Sequence, residues 1–156
     1  MDDRLSAATR SQFRWKRAPR CPEHLRLFCL AEVDVREAAR VIICHQEIAS
    51  NGAFSLGMIA DFGESIRRNG AWWYRRLFWE AGILGHVLYL EAEAAGVRST
   101  GIGCYLDDVF HELLGLTGDQ FQSLYHFTVG GPIEDRRLAT IEPYAHLSQS
   151  KSCTRK

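Results

Sequence analysis

Two short segments combine residue types and spacing that could do chemistry. In Gly101-Ile102-Gly103-Cys104 the missing side chains let backbone amides approach a planar ligand closely. A glycine turn with no ligand explains the same residues equally well. The stretch is not a dinucleotide fingerprint, because its third glycine is absent and it follows a helix and a turn. In Asp135-Arg136-Arg137, just past the Gly130-Gly131-Pro132 break, a guanidinium can meet a phosphate with two parallel hydrogen bonds. A surface salt bridge is the plain alternative.

The remaining candidates carry less. Five cysteines, at positions 21, 29, 44, 104 and 153, form an odd set without a Cys-x-x-Cys pair, so they are expected as reduced thiols. Cys44-His45 is the only Cys/His neighbour pair; adjacent helical side chains diverge by about 100°, and no metal site is expected. His86, His111 and His126 read as partly buried residues, each with one satisfied nitrogen. A Cys104/His111 couple lacks a third group to orient the histidine, and Glu91 and Glu93 point apart on a helix, so neither a hydrolase nor an acid/base dyad is visible.

Composition narrows the class further. At 156 residues, 46% of them hydrophobic, the chain can bury one ordinary core. Nineteen basic residues balance nineteen acidic ones, which removes the wholesale positive footprint of a nucleic-acid binder. The longest apolar stretch, 82–90, falls far short of the roughly 20 residues of a membrane span. With no apolar leader after Met1-Asp2-Asp3, the expectation is a soluble, cytoplasmic protein.

The elements that must hold these residues follow from patterning. Residues 1–22, with Arg4, Arg10, Arg14, Lys16, Arg17 and Arg20, read as a basic, disordered tail, and 148–156 as a flexible C-terminal tail. Residues 25–30 suit a strand. Asp34-x-x-Glu37 has capping-box spacing and opens a helix to about Gln46, with Val35, Ala38, Ala39 and Ile42 as its buried stripe. After the Asn51-Gly52 turn, alternation at Phe54, Leu56 and Met58 predicts a second strand. A short amphipathic piece and Asn69-Gly70 precede the aromatic run at 72–79, and 82–95 reads as a helix buried on most sides, stopped by Gly96. A capped helix from Asp107 or Asp108 to Leu114 and a strand at 121–129 complete an α+β domain at 23–147.

Longer stretches carry a family likeness. Cys44-His45-Gln46 with Asn51-Gly52-Ala53-Phe54-Ser55-Leu56-Gly57-Met58, Tyr74-Arg75-Arg76-Leu77-Phe78-Trp79-Glu80-Ala81-Gly82, and Leu88-Tyr89-Leu90-Glu91-Ala92-Glu93-Ala94-Ala95-Gly96 all contribute. So do Gly101-Ile102-Gly103-Cys104, His111-Glu112-Leu113-Leu114-Gly115-Leu116, and Val129-Gly130-Gly131-Pro132-Ile133-Glu134-Asp135-x-Arg137. In order and spacing, residues 24–146 resemble the C-terminal part of the flavin-dependent nitroreductase family, in particular its SagB-type dehydrogenase and azoline oxidase branch.

The resemblance implies a mixed, mainly antiparallel sheet flanked by helices, with FMN at an interface between two subunits or two fused halves of one chain. By position, Gly101, Ile102, Gly103 and Cys104 would neighbour the flavin ring, and Arg137, with Arg136 as its understudy, would hold the phosphate. The implied chemistry is ping-pong hydride transfer through flavin N5, with NAD(P)H as a candidate donor and a peptide azoline or small electrophile as substrate. The family's N-terminal portion is not recognisable; Arg10-Ser11-x-x-Arg14 only echoes its phosphate-binding helix. The expected partner is therefore a second copy or another chain that supplies that portion. The alternative reading is a non-catalytic truncated remnant, or a subunit that completes a flavin site at a dimer interface.

Overall fold

In the computed structural model, which describes residues 3–149, the alternation after Asn51-Gly52 becomes strand β3, Phe54–Asp61, in the sequence's longest run of half-buried residues. Twelve elements are present among the described residues: α1 Asp3–Ala8, β1 Lys16–Arg17, β2 Phe28–Cys29, α2 Arg36–Ile42, α3 Ile48–Asn51, β3, α4 Phe62–Asn69, α5 Trp73–Ala94, β4 Arg98–Ile102, α6 Asp107–Leu114, β5 Phe121–Gly130 and α7 Ala145–Gln149. The main sheet has the order β3-β5-β4, antiparallel throughout. A register shift between Met58 and Ile59 leaves Leu124 of β5 as the extra residue of a bulge. This is the expected α+β arrangement of an antiparallel sheet flanked by helices.

The central strand β5 is covered on both faces: its apolar residues face α5, and its buried polar residues Ser123 and His126 face α6. On one side α5 packs Leu77, Ala81 and Ala92 against Leu124, Phe127 and Val129, with Met58, Leu56 and Tyr125 filling in. On the other, Ile42, Ile43, Ala49 and Ile102 gather Val109, Phe110, Leu113 and Tyr105 around them. Phe127 has no exposed surface at all.

Several local expectations change. The aromatic run and the apolar helix are a single 22-residue helix, α5, and it is not buried on most sides. Only the narrow stripe Leu77, Ala81, Gly85 and Ala92 is covered; Trp79, Ile83, Val87 and Leu90, about half a turn away, face outward. Small residues line the covered stripe because the sheet comes close: a Cβ at Gly85 would overlap the Tyr125 ring. The capping box does not form, since Asp34 turns its carboxylate to the backbone N–H and guanidinium of Arg36, while Glu37 pairs with Arg40. Helix α2 accordingly starts at Arg36 and ends at Ile42, short of Gln46, and Val35 is exposed. Strand β2 is only two residues of the expected 25–30. Strand β4 was not expected, because Arg98-Ser99-Thr100 carries no apolar signal, so Gly101 and Ile102 end a strand that leads into a helix.

Residues 3–22, read from the sequence as a basic tail, carry α1 and β1 in the structure. Arg10 explains how they are held: its backbone N–H donates to the Leu114 carbonyl, and its guanidinium to those of Leu113 and Glu112. These are the orphan acceptors of the last turn of α6, where a cation is also favoured by the helix dipole. Arg4 reaches Asp61 at 2.6 Å, and β1 pairs with β2 through Lys16–Cys29 and Arg17–Phe28. The flexible tail expected at 148–156 lies outside the described residues from 150 onward. Among the described residues, no helix is long and apolar enough to cross a membrane.

Complete burial between the sheet and α5 makes Phe127 the most sensitive position of the sheet. Phe127→Ala should lower unfolding free energy by about 3–5 kcal/mol, read as a shift of the urea midpoint. A loss below about 1 kcal/mol would show that α5 and β5 do not pack as described.

Candidate functional site

The site is built at the end of β4, an edge strand whose inner side is bonded to β5 through Gly101–Phe127 and Ile102–His126 pairs. Each of the four residues singled out there has a different environment. The N–H of Gly101 donates to the Tyr89 hydroxyl of α5 at 2.7 Å, and the Tyr89 ring stands edge-on to Phe127 at 4.9 Å. A side chain on Gly101 would collide with the Tyr125 hydroxyl. Ile102 is 4% exposed and belongs to the core between α2 and β4. Gly103, by contrast, is exposed, and a Cβ there would meet nothing within 4 Å. Cys104 is exposed, with its Sγ 2.8 Å from that of Cys44. The backbone open to a ligand is thus Gly103-Cys104, half of the segment read from sequence.

Behind this opening lies a buried polar group. The N–H of Ser123 donates to His111 Nε2 at 3.0 Å, its hydroxyl lies 2.9 Å from His126 Nε2, and its carbonyl accepts from Tyr105 at 3.3 Å. His126 lies between the Tyr105 ring, 4.4 Å away, and the edge of Phe110 at 4.8 Å. Burial, with the charge of nearby His111 as a lesser cause, holds the His126 pKa down to about 4. His111 and His126 each have one bonded nitrogen and are buried, as expected, whereas His86 is exposed on the outer side of α5; His111 and Cys104 do not pair, since each is bonded elsewhere. Sequence reading missed the Ser123 hub, since a serine in an apolar strand gives no signal until its neighbours are known.

The other end of β4 lines a cleft of ≈ 370 Å³ with Asn51, Gly52, Arg98, Ser99, Thr128 and Gly130 among its walls. Ser99 Oγ and Thr128 Oγ1 are buried there without a hydrogen-bond partner. Arg136 and Arg137 lie on the segment that leaves β5 at this end. The register, Arg98 opposite Gly130 and Ile102 opposite His126, separates the two ends of β4 by about 14 Å, and among the described residues no hydrogen bond or ion pair links Arg136 or Arg137 to Gly103-Cys104. Arg137 is 89% exposed, and its guanidinium forks onto Asp135 at 2.6 and 2.9 Å, which lowers the Asp135 pKa. The Arg10 fork is taken up by the α6 carbonyls. Among the described residues no group of three His, Cys, Asp or Glu could hold a metal ion.

The family model described as Nitroreductase family matches residues 5–131, which includes N-terminal residues outside the stretch 24–146 recognised from motifs. A crystal structure of a protein from Anabaena variabilis assigned as a nitroreductase is 28% identical, with a TM-score of 0.59 over 68% of this chain and 21% of that one. This chain therefore spans about a fifth of that relative's length. An FMN-dependent nitroreductase from Clostridium difficile shares the fold at 18% identity and a TM-score of 0.51, over 76% of this chain and 69% of that one. No curated protein matches.

The buried histidine sets a pH dependence. Its folded pKa of about 4 lies below the unfolded value of about 6.5, so below pH 6.5 the unfolded chain binds a proton that the folded chain refuses. Unfolding free energy should fall by up to about 3 kcal/mol between pH 6.5 and 4, and this contribution is fully present above pH 7. Urea midpoints at pH 7.5 and 5 check it, with His126→Gln expected to flatten the acid limb; equal slopes in both proteins reject the assignment.

Proposed function

The chain belongs to the nitroreductase family, and from that premise we propose that it is an FMN-dependent oxidoreductase whose flavin ring lies against Gly103-Cys104. The observation that carries the reading is the open backbone of Gly103 at the end of an edge strand, backed by a rigid core. A planar ligand can approach there without meeting a side chain, and the residues fit a flavin ring on that count. Gly101 and Ile102 contribute differently from the expectation: the first has its amide engaged by Tyr89 and the second faces the core, so both support the site from behind.

Bound FMN would supply two-electron transfer through N5, with NAD(P)H as the proposed donor. The chain's own residues would position and shield. Tyr89 and Tyr125 hold the end of β4 from the α5 side, and Ile102 fixes it from the other. Arg137, with Arg136 beside it, is the proposed phosphate ligand, and a bound phosphate must draw its guanidinium from Asp135. The motif likeness to the SagB-type branch favours a peptide azoline or another small electrophile as substrate, and the supply of NAD(P)H suits the proposed cytoplasmic setting.

The partner is proposed to be a second copy or a homologous chain seated on α5. Trp79, Ile83, Val87 and Leu90 recur at spacings of four, four and three, so they form one stripe, 47–64% exposed, opposite the covered one. A continuous apolar stripe of that kind marks an interaction surface.

Flavin binding and oligomeric state test the reading. Visible absorbance after gel filtration with added FMN should show a bound flavin, and a colourless protein at saturating FMN would favour the alternative of a subunit that only completes another chain's site. Gly103→Val should abolish that absorbance, and Arg137→Ala should weaken FMN by about 1.5–3 kcal/mol, whereas Asp135→Asn, which releases the guanidinium, should tighten it. Ile83→Glu should shift the elution volume from dimer to monomer; an unchanged volume removes α5 from the interface.

A further inference from the structure

Cys44 and Cys104 are 60 positions apart in sequence, yet their sulfurs lie 2.8 Å from each other. The framework, not the sulfurs, sets that approach. The N–H of Leu106 donates to the Ile42 carbonyl at 2.6 Å, and Ile42, Ile43 and Ile102 pack in one core beside the two cysteines. Bond formation therefore asks the two sulfurs to close from 2.8 Å to about 2.05 Å. The turn that carries Cys44 is itself unusual: Cys44 and His45 adopt φ of +57° and +60°, two successive non-glycine residues in the left-handed region. Such a conformation persists only where surrounding contacts enforce it.

We propose that Cys44 and Cys104 are a reversible thiol–disulfide site, oxidised by low-molecular-weight disulfides. The other described cysteines lack this geometry: the sulfurs of Cys21 and Cys29 face the carbonyls of Leu25 and Ala31. Cys104 is exposed and Cys44 half-buried, so the first attack falls to Cys104. Its thiolate displaces one thiolate from the incoming disulfide and forms a mixed disulfide. Cys44 then loses its proton to water and attacks the Cys104 sulfur, expelling the second thiolate. Two cysteine thiols are oxidised, one external disulfide is reduced to two thiols, and no other electron acceptor is needed. The neighbouring thiol, together with burial, pushes the Cys44 pKa up, which suits it to the resolving step over the first. Closure also ties the residue next to Gly103 to the turn after α2. An effect on FMN affinity rests on the flavin placement proposed above; the thiol chemistry does not.

The test uses the intact wild-type chain incubated with oxidised glutathione, then alkylated and digested with trypsin. Cleavage after Arg40, Arg67, Arg98 and Arg136 leaves Cys44 and Cys104 on separate peptides. The expected result is one cross-linked species joining them, the loss of two alkylatable thiols, and full recovery of both with dithiothreitol. The cross-link should persist when Cys21, Cys29 and Cys153 are replaced by serine. In Cys44→Ser, glutathione should remain attached to Cys104, because nothing resolves it. Both thiols still alkylated after oxidation, or a stable glutathione adduct on wild-type Cys104, overturns the proposal. FMN titration of the oxidised and reduced forms separates the two ideas: a disulfide that leaves FMN binding unchanged supports the thiol site and counts against the ring placement.

Discussion

Strand β5 has neither a free edge nor a free face, and the rest of the molecule is arranged around that constraint. Its backbone pairs with β3 from Phe121 to Val129 and with β4 from His126 to Gly130, its apolar residues pack under α5, and its buried Ser123 and His126 meet α6. Its polar residues have no water to turn to. Ser123 resolves this by engaging all three of its polar groups, with His111, His126 and Tyr105, each contributed by or packed against the α6 side. An unpaired buried hydroxyl or amide would cost roughly 1–3 kcal/mol, so this small network fixes where α6 docks on the sheet. Once α6 is docked, its last carbonyls offer the acceptors that Arg10 uses, and the N-terminal segment follows.

The same constraint sorts the residues at the end of β4. Pairing with β5 holds Gly101 and Ile102, and what covers β5 covers them: Tyr89 and Tyr125 from the α5 side, the isoleucine cluster from the other. The pairing stops at Ile102. Gly103 and Cys104 therefore lie outside the sheet yet beside its packed core, so a ligand meeting them would face a close-packed wall. Tyr89 is central to this division, because its hydroxyl takes the one amide of Gly101 that points away from β5.

What the sequence disclosed depended on whether the signal was local. The end of α6 was legible because Gly115 takes φ of +77°, and the end of α5 because Gly96 takes +71°, both conformations that glycine alone adopts cheaply. The strand at 121–129 showed itself by β-branched and aromatic content, and the Gly103 opening by its missing side chain. Long-range facts left no trace. Asp34 and Glu37 had capping spacing, but each found an arginine on the same element first. The basic residues at the N-terminus read as solvated because the α6 carbonyls that bind Arg10 lie over a hundred residues away. Helix α5 was read as buried because apolarity reports burial without naming what provides it. One stripe is covered by this chain's own sheet, and the proposed partner would cover the other.

Charge at the far end of β4 limits what a ligand there must be. The fork of Arg137 on Asp135 has a twin in Arg36 on Asp34, each at 2.6 Å and each two residues apart. The repetition shows that an Asp-x-Arg step closes on itself wherever the backbone turns, so the pairing alone does not mark a site. Both arginines are largely exposed, and such a surface pair contributes little to stability. It can therefore be opened at little cost. A neutral ligand, however, offers nothing to replace the carboxylate, and a single carboxylate offers only an even exchange. A phosphate can carry a second charge and presents oxygens in the geometry of the guanidinium fork, so it has the advantage that the exchange requires. The ligand proposed for this chain joins such a phosphate to a planar ring.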